Sequence, residues 1–207
     1  MLVRERMISP GKRLSANLPI TSAIGEFEKV SSSWLPVVDQ GGSLVGLLTW
    51  SDVRKAQSVL ASGKQEPESE MMVQDFMTTK FLFVTEKTPI EEAVRIMIDY
   101  DIPELPVVKD GYFCGIITDK TMLRVLMEIT GARRQGLRLM VKIENKNGKL
   151  LELLQVISDQ GGSIEGLCTY CGQENEYIIA TMRVEDVDKY SLKQALRNLN
   201  VEVLDIR

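Results

Sequence analysis

Residues 2–38 lie over residues 72–108 without a gap, and this internal duplication constrains the fold more than any other feature of the chain. Val3 falls on Val73, Met7 on Met77, Pro19 on Pro89, Ile20 on Ile90 and Ala23 on Ala93. Leu35-Pro36-Val37-Val38 falls on Leu105-Pro106-Val107-Val108. One residue is then lost in a turn, after which Gly42 falls on Gly111, Gly46 on Gly115 and Thr49 on Thr118. Self-similarity in fixed register means one supersecondary unit built twice, with each copy needing the other to bury its apolar face.

Each copy reads as β-α-β-β-α. In the second, Phe81-Leu82-Phe83-Val84 is a short strand. Thr88 suits a helix N-cap, Pro89 the first helical position, and Glu91 stands three residues after Thr88. Ile90, Ala93, Val94 and Met97 recur at helical spacing. Leu105 to Val108 is a buried strand, Lys109-Asp110-Gly111 its turn, Tyr112 to Thr118 the returning strand and Thr121 to Ile129 a helix. The first copy repeats this order, with a helix from Pro19-Ile20, a turn at Asp39 to Gly42, a strand from Leu44 to Leu48 and a helix from Asp52 to Leu60. Ser62 to Glu70 are polar and lack apolar spacing, so residues 61–71 read as a linker between the copies.

Residues 131–136 form a second break, and a different unit follows. Leu137 to Glu144 alternates as a strand, and Asn145 to Gly148 is a turn. Leu150, Leu151, Leu154 and Ile157 mark one helix face, which Gly161-Gly162 ends. Strands at Ser163 to Tyr170 and Tyr177 to Val184 flank a polar loop at 172–175, and a helix from Tyr190 to Leu199 precedes a last strand from Val201 to Ile206. The order β-α-β-β-α-β is that of a ferredoxin-like split βαβ unit. The expected fold class is thus α/β (α+β): repeat 1 over 1–60, a linker, repeat 2 over 72–130, a hinge over 131–136 and a third unit over 137–207.

Several chemistries are disfavoured by what the chain lacks. It has no histidine, which removes the usual general base and the commonest metal ligand. Its three cysteines, Cys114, Cys168 and Cys171, include one C-x-x-C but no second pair to complete four zinc ligands. Neither G-x-G-x-x-G nor G-x-x-x-x-G-K-S/T occurs, so no catalytic cofactor and no metal is expected. A net charge of −4 and a pI near 5.1 disfavour nucleic acid as a partner. No apolar run is long enough for a bilayer, and the N-terminus lacks a signal-peptide core, so the chain reads as a soluble, cytoplasmic protein.

The two h-P-V-V strands with their turns, and the junctions Gly46-Leu47-Leu48-Thr49-Trp50-Ser51-Asp52 and Gly115 to Thr121, resemble tandem cystathionine-β-synthase-type (CBS) domains. Asn147-Gly148-Lys149-Leu150 and Gly161-Gly162-Ser163-Ile164 resemble an ACT domain. The order of the two is similar to bacterial proteins of acetoin-utilisation type. The resemblance implies a pseudo-twofold CBS pair (a Bateman module) followed by a ferredoxin-like ACT domain. It also implies a non-catalytic regulatory protein that binds AMP, ADP, ATP or S-adenosylmethionine between the repeats. The ACT domain would bind an effector, such as an amino acid, or would dimerise, and a homodimer is expected.

By the same resemblance, nucleotide would meet Thr49, Ser51, Asp52 and Arg54 in the first copy and Thr118 and Thr121 in the second, with Leu35, Pro36 and Val37 as an apolar wall for adenine. Thr49 beside a helix N-terminus suits a phosphate, and Asp52, acceptor-only, suits ribose hydroxyls. Both residues also suit plain helix capping. Thr121 replaces the acid in copy two, so the better site is expected in copy one. An effector at the ACT-like turn would meet Asn145, Asn147, Gly148, Lys149 and Leu150. The competing functions are an acetoin-related dehydrogenase and a transcriptional regulator, for which no cofactor motif and no helix-turn-helix is visible.

Overall fold

A computed structural model describes residues 1–8, 11–30, 32–62, 71–171, 176–199 and 201–207. Most of the expected linker and the loop at 172–175 therefore lie outside the described residues. By internal contacts the chain divides into Met1–Met122 and Leu123–Arg207.

The first unit holds two small three-stranded sheets. In one, β1 (Leu14–Ser15) runs parallel to β2 (Trp34–Val38), which pairs antiparallel with β3 (Leu44–Thr49). Helix α1 (Ile20–Phe27) joins β1 to β2, and α2 (Trp50–Ser62) follows β3. The second sheet repeats this with β4 (Val84–Thr85), α3 (Ile90–Asp99), β5 (Glu104–Lys109), β6 (Tyr112–Thr118) and α4 (Asp119–Ile129).

The copies are completed by exchange. Residues 2–8 lie on the second copy and residues 72–78 on the first, through bridges Leu2↔Pro89 and Ile8↔Ile116 against Pro19↔Met72 and Leu47↔Thr78. Val3 N donates to Thr88 O and Ile90 N to Met1 O, while Val73 N donates to Leu18 O and Ile20 N to Met71 O. Each contact matches its counterpart in repeat register, so the exchange is reciprocal. Met71 and Val73 belong to the first copy's core, with Leu14, Ile20, Phe27, Leu35, Val37, Leu48 and Val53. Burying a valine such as Val3 or Val73 contributes roughly 1.5–3 kcal/mol, which ties each leading segment to the opposite copy.

The residue lost between the copies lies in the hairpin loops. Asp110 (φ 50°) and Gly111 (φ 87°) form a two-residue turn with both central residues left-handed, while the longer first-copy loop ends on Gly42 at φ 86°. Two local expectations are corrected. Residues Phe81 to Phe83 precede the strand rather than form it, because Phe81 packs with Trp34 and Phe113 instead of pairing. Pro89 is the N-cap of α3, since the Thr88 hydroxyl is occupied as acceptor for Thr85 N at 3.0 Å.

In the second unit β7 (Leu137–Glu144), α5 (Lys149–Asp159), β8 (Ser163–Cys171), β9 (Tyr177–Glu185), α6 (Lys189–Arg197) and β10 (Glu202–Ile206) form an antiparallel sheet of order β10-β7-β9-β8. Its core joins Leu139, Val141 and Ile143 to Leu153, Ile157, Met182, Leu192 and Leu196. The inward face of α5 runs through Leu150, Leu153, Val156 and Ile157, whereas Leu151, expected inside, is 67% exposed. Gly148, left-handed at φ 85°, starts the helix and fixes this phase.

Candidate functional site

The two strand-to-helix junctions are built differently. In copy one Thr49 N–H and Thr49 Oγ1 donate to Asp52 Oδ2 at 3.0 and 2.7 Å, and Asp52 N–H donates to Thr49 Oγ1 at 3.3 Å. This reciprocal pattern is a capping box on α2. Thr78 Oγ1, from the exchanged segment, adds a third donor to Oδ2 at 3.3 Å. Asp52 is 3% exposed, and its other oxygen meets Lys55 Nζ at 3.5 Å. Ser51 and Arg54 are exposed on the first turns of α2. In copy two Thr121 N–H donates to Thr118 Oγ1 at 3.2 Å and the two hydroxyls lie 3.1 Å apart, which caps α4 without an acid.

Leu35 and Val37 do not form a wall for a ligand. Side chains alternate along a strand, and these two point into the core under α1 and α2. Trp34 and Pro36 occupy the opposite face of β2. That parity matters, because Trp34 lines a cleft of about 440 Å³ within the first unit. The cleft also holds Leu47, Phe81, Leu82, Pro106, Lys80 and Glu104. Glu104 is the cross-strand partner of Thr118, so the cleft opens beside the second copy's junction. Ser32 Oγ donates to Glu104 Oε2 at 2.9 Å, leaving Oε1 as an acceptor. Trp34 is braced edge-on by Phe113 at 6.4 Å.

Trp34, Lys80, Phe81, Leu82 and Glu104 were not among the expected site residues. The available signal was the two-residue period of β2, which puts Trp34 opposite Leu35. The exchange that brings Phe81 toward Trp34 has no local sequence signature.

The turn before α5 is an exposed loop. Asn145, Asn147 and Gly148 are exposed, and Lys149 and Leu150 are half-buried. Asn145 N–H donates to Glu176 O at 2.7 Å. Lys149 Nζ bonds Glu152 at 2.7 Å, which raises the pKa of the lysine, and Lys146 lowers that of Glu144. These charges are thus matched among themselves. Burial raises the pKa of the Cys114 thiol, and Cys168 and Cys171 lie on β8. Among the described residues no group of acid and cysteine side chains is placed to hold a metal ion, and no helix is long and apolar enough to cross a membrane.

Comparison with known proteins gives these features a context. The profile of the family described as "CBS domain" matches residues 3–59 and 73–128, more than half of the chain. The chloroplastic CBS domain-containing protein CBSX1 of Arabidopsis thaliana is 32% identical over 117 residues, 45% of this chain and 50% of that protein. In the first curated relatives the matched stretch spans 50%, 65% and 23% of the relative's own length, under two thirds in each. Among solved structures, that of CBSX2 in complex with AMP is similar at TM-score 0.53 and 25% identity, covering 62% of this chain and 97% of that one. A putative acetoin utilization protein (AcuB) from Vibrio cholerae shares the fold at TM-score 0.55 and 22% identity over 64% of this chain and 95% of that one.

Proposed function

Because the chain belongs to the CBS-domain family, we propose that it is a non-catalytic sensor of an adenosine nucleotide held between its two repeats. The observation that carries this reading is the cleft beside the second junction. Trp34, Phe81, Leu82 and Pro106 offer an apolar slot for a purine, and base stacking on aromatic rings contributes roughly 1–3 kcal/mol. Glu104 Oε1 would accept from ribose hydroxyls, and the Lys80 ammonium would meet phosphate. In copy one, Thr49 and Asp52 would offer a second, weaker position, since Oδ2 already accepts three bonds and the carboxylate is nearly closed to solvent. The AMP carried by CBSX2 supports the class of ligand.

The second unit then serves as an ACT-type module that responds to the repeats or binds its own effector at Asn145 to Leu150. Self-association would cover α4, whose Leu123, Leu126 and Ile129 recur at helical spacing and are 61%, 54% and 45% exposed.

Calorimetric titration of AMP, ADP, ATP and S-adenosylmethionine into the full chain tests the nucleotide reading. Binding of at least one is expected, weakened roughly tenfold by Phe81→Ala. No heat from any of the four, or binding indifferent to both Phe81→Ala and Lys80→Gln, would sink it.

A further inference from the structure

A second cavity, of about 580 Å³, lies within the other unit, where the end of α4 and the segment after it face β8. Arg124, Arg133 and Arg134 line it, with Met127, Glu128 and Glu165. Arg134 Nε stands 4.0 Å from Glu165 Oε2, a loose contact. Arg124 and Arg133 have no ion-pair partner among the described residues.

Arginines at a helix end commonly bond its last carbonyls and meet the negative end of its dipole. Here the backbone does that work. Ala132 N–H donates to Met127 O at 2.9 Å and Gly131 N–H to Glu128 O at 3.1 Å, a Schellman closure with Gly131 left-handed at φ 62°. Thr130 Oγ1 donates to Leu126 O at 2.8 Å. The guanidinium groups are thus free of capping.

Their frame is close-packed. A Cβ on Gly166 would stand 2.5 Å from Gly131 N, so the segment after α4 rests backbone to backbone on β8. The register of β8 slips between Ile164 and Gly166, and such a bulge re-aims the residue it contains, Glu165, which lines the cavity. A fourth guanidinium runs beside this segment: Arg183 Nη1 donates to Gly136 O at 2.9 Å, and its buried Nε has no partner among the described residues. Four guanidinium groups therefore gather around one segment with two carboxylates at the cavity wall.

We propose that this cavity binds a small polyanion of the diphosphate class. Arginine forks take phosphoryl oxygens two at a time, and the unpaired Arg124 and Arg133 match two adjacent phosphoryl groups. Arg134 supplies a third contact once it leaves Glu165. The site shares no residue with the nucleotide cleft and stands independently of it.

Titration of inorganic diphosphate into the full chain is the test. Binding is expected, weakened roughly tenfold or more by Arg124→Gln and again by Arg133→Gln, as each removes a charge-assisted bond. Glu165→Gln removes the competing carboxylate without touching an arginine, and severalfold tighter binding is expected of it. Absence of diphosphate binding, binding unchanged in the double arginine variant, or loss of binding through Lys80→Gln in its place would overturn the proposal.

Discussion

The two junctions share one ancestry of pattern and have opposite interiors. In copy one, Asp52 is buried and its Oδ2 collects three donors, one of them Thr78 from the exchanged segment. In copy two, Thr121 is buried at 4% exposure with only Thr118 as hydrogen-bond partner among the described residues. The residue that corresponds to Thr78 there is Ile8, which bridges Ile116 as Thr78 bridges Leu47. A carboxylate and a hydroxyl occur together, and a hydroxyl and an isoleucine occur together. Burying an unpaired charge is costly, so the acid stands where the opposite segment supplies a donor. The comparison separates two roles that a single sequence motif conflates: copy one is closed by polar bonds, and the open apolar cleft lies beside copy two.

The largest effect expected from this difference is on stability. Asp52→Ala removes the acceptor from Thr49 N–H and from the Thr49 and Thr78 hydroxyls, and so the carboxylate half of the capping box. A loss of about 2–4 kcal/mol is expected in urea unfolding. Thr121→Ala removes one neutral hydroxyl and should cost about 1 kcal/mol. In a double-mutant cycle, Asp52→Ala and Thr78→Val should couple, because they share one bond. Equal costs for the Asp52 and Thr121 variants would break the comparison.

The exchanged segments themselves can be probed at two equivalent glycines. A Cβ on Gly46 would meet Met77 Sδ at 2.5 Å and Thr78 O at 3.2 Å, and one on Gly115 would meet Met7 Sδ at 2.9 Å and Ile8 O at 3.0 Å. Each glycine is the floor on which the other copy's leading segment rests. Alanine at either place should destabilise by about 1–3 kcal/mol through overpacking, with Gly115→Ala the worse because its backbone contact, Ile8 O, is closer than Thr78 O is to Gly46, whereas a Met side chain can shift. Thermal melts of the two single variants check the order. An unaffected Gly115→Ala would show that the exchange matters on one side only.

Legibility in the sequence followed the range of the interactions. The repeat, the hairpins and the strand Tyr112–Thr118 were readable because they rest on local periodicity and turn chemistry. The element order of the second unit was readable for the same reason, down to Leu137–Glu144. The exchange of leading segments was not, since Val3 and Val73 look alike whichever copy they complete. For the same reason Leu35 and Val37 looked available to a ligand while Trp34 and Phe81 went unremarked: which strand face meets a cleft depends on what packs across it. The box formed by Thr49 and Asp52 was legible as a cap and as a ligand site alike, and its third donor, Thr78, comes from 26 residues away.

A smaller effect separates capping from burial. Asp188, the N-cap of α6, accepts from Ser191 N–H at 2.8 Å and from the Ser191 hydroxyl at 3.0 Å, the same kinds of donor that Asp52, three residues into its own helix start, takes from Thr49, but Asp188 is exposed. The Ser191 N–H holds its pKa below the ordinary 3.8. The folded-state value is therefore depressed, so the stabilisation is present above the unfolded-state pKa and fades as pH falls through the folded-state value. Asn caps a helix about as well as Asp and does not titrate. The stability of the native chain relative to Asp188→Asn should thus decline as the pH drops from neutral to below 3.8, with no such trend between pH 6 and 8. Guanidinium unfolding at a series of pH values measures it. Since Asp188 has the donors of a cap without the burial, the amount by which Asp52→Ala exceeds Asp188→Ala at neutral pH isolates what enclosure and the Thr78 bond add in copy one. A difference of zero would reduce the first junction to an ordinary cap and leave the asymmetry of the two copies without energetic meaning.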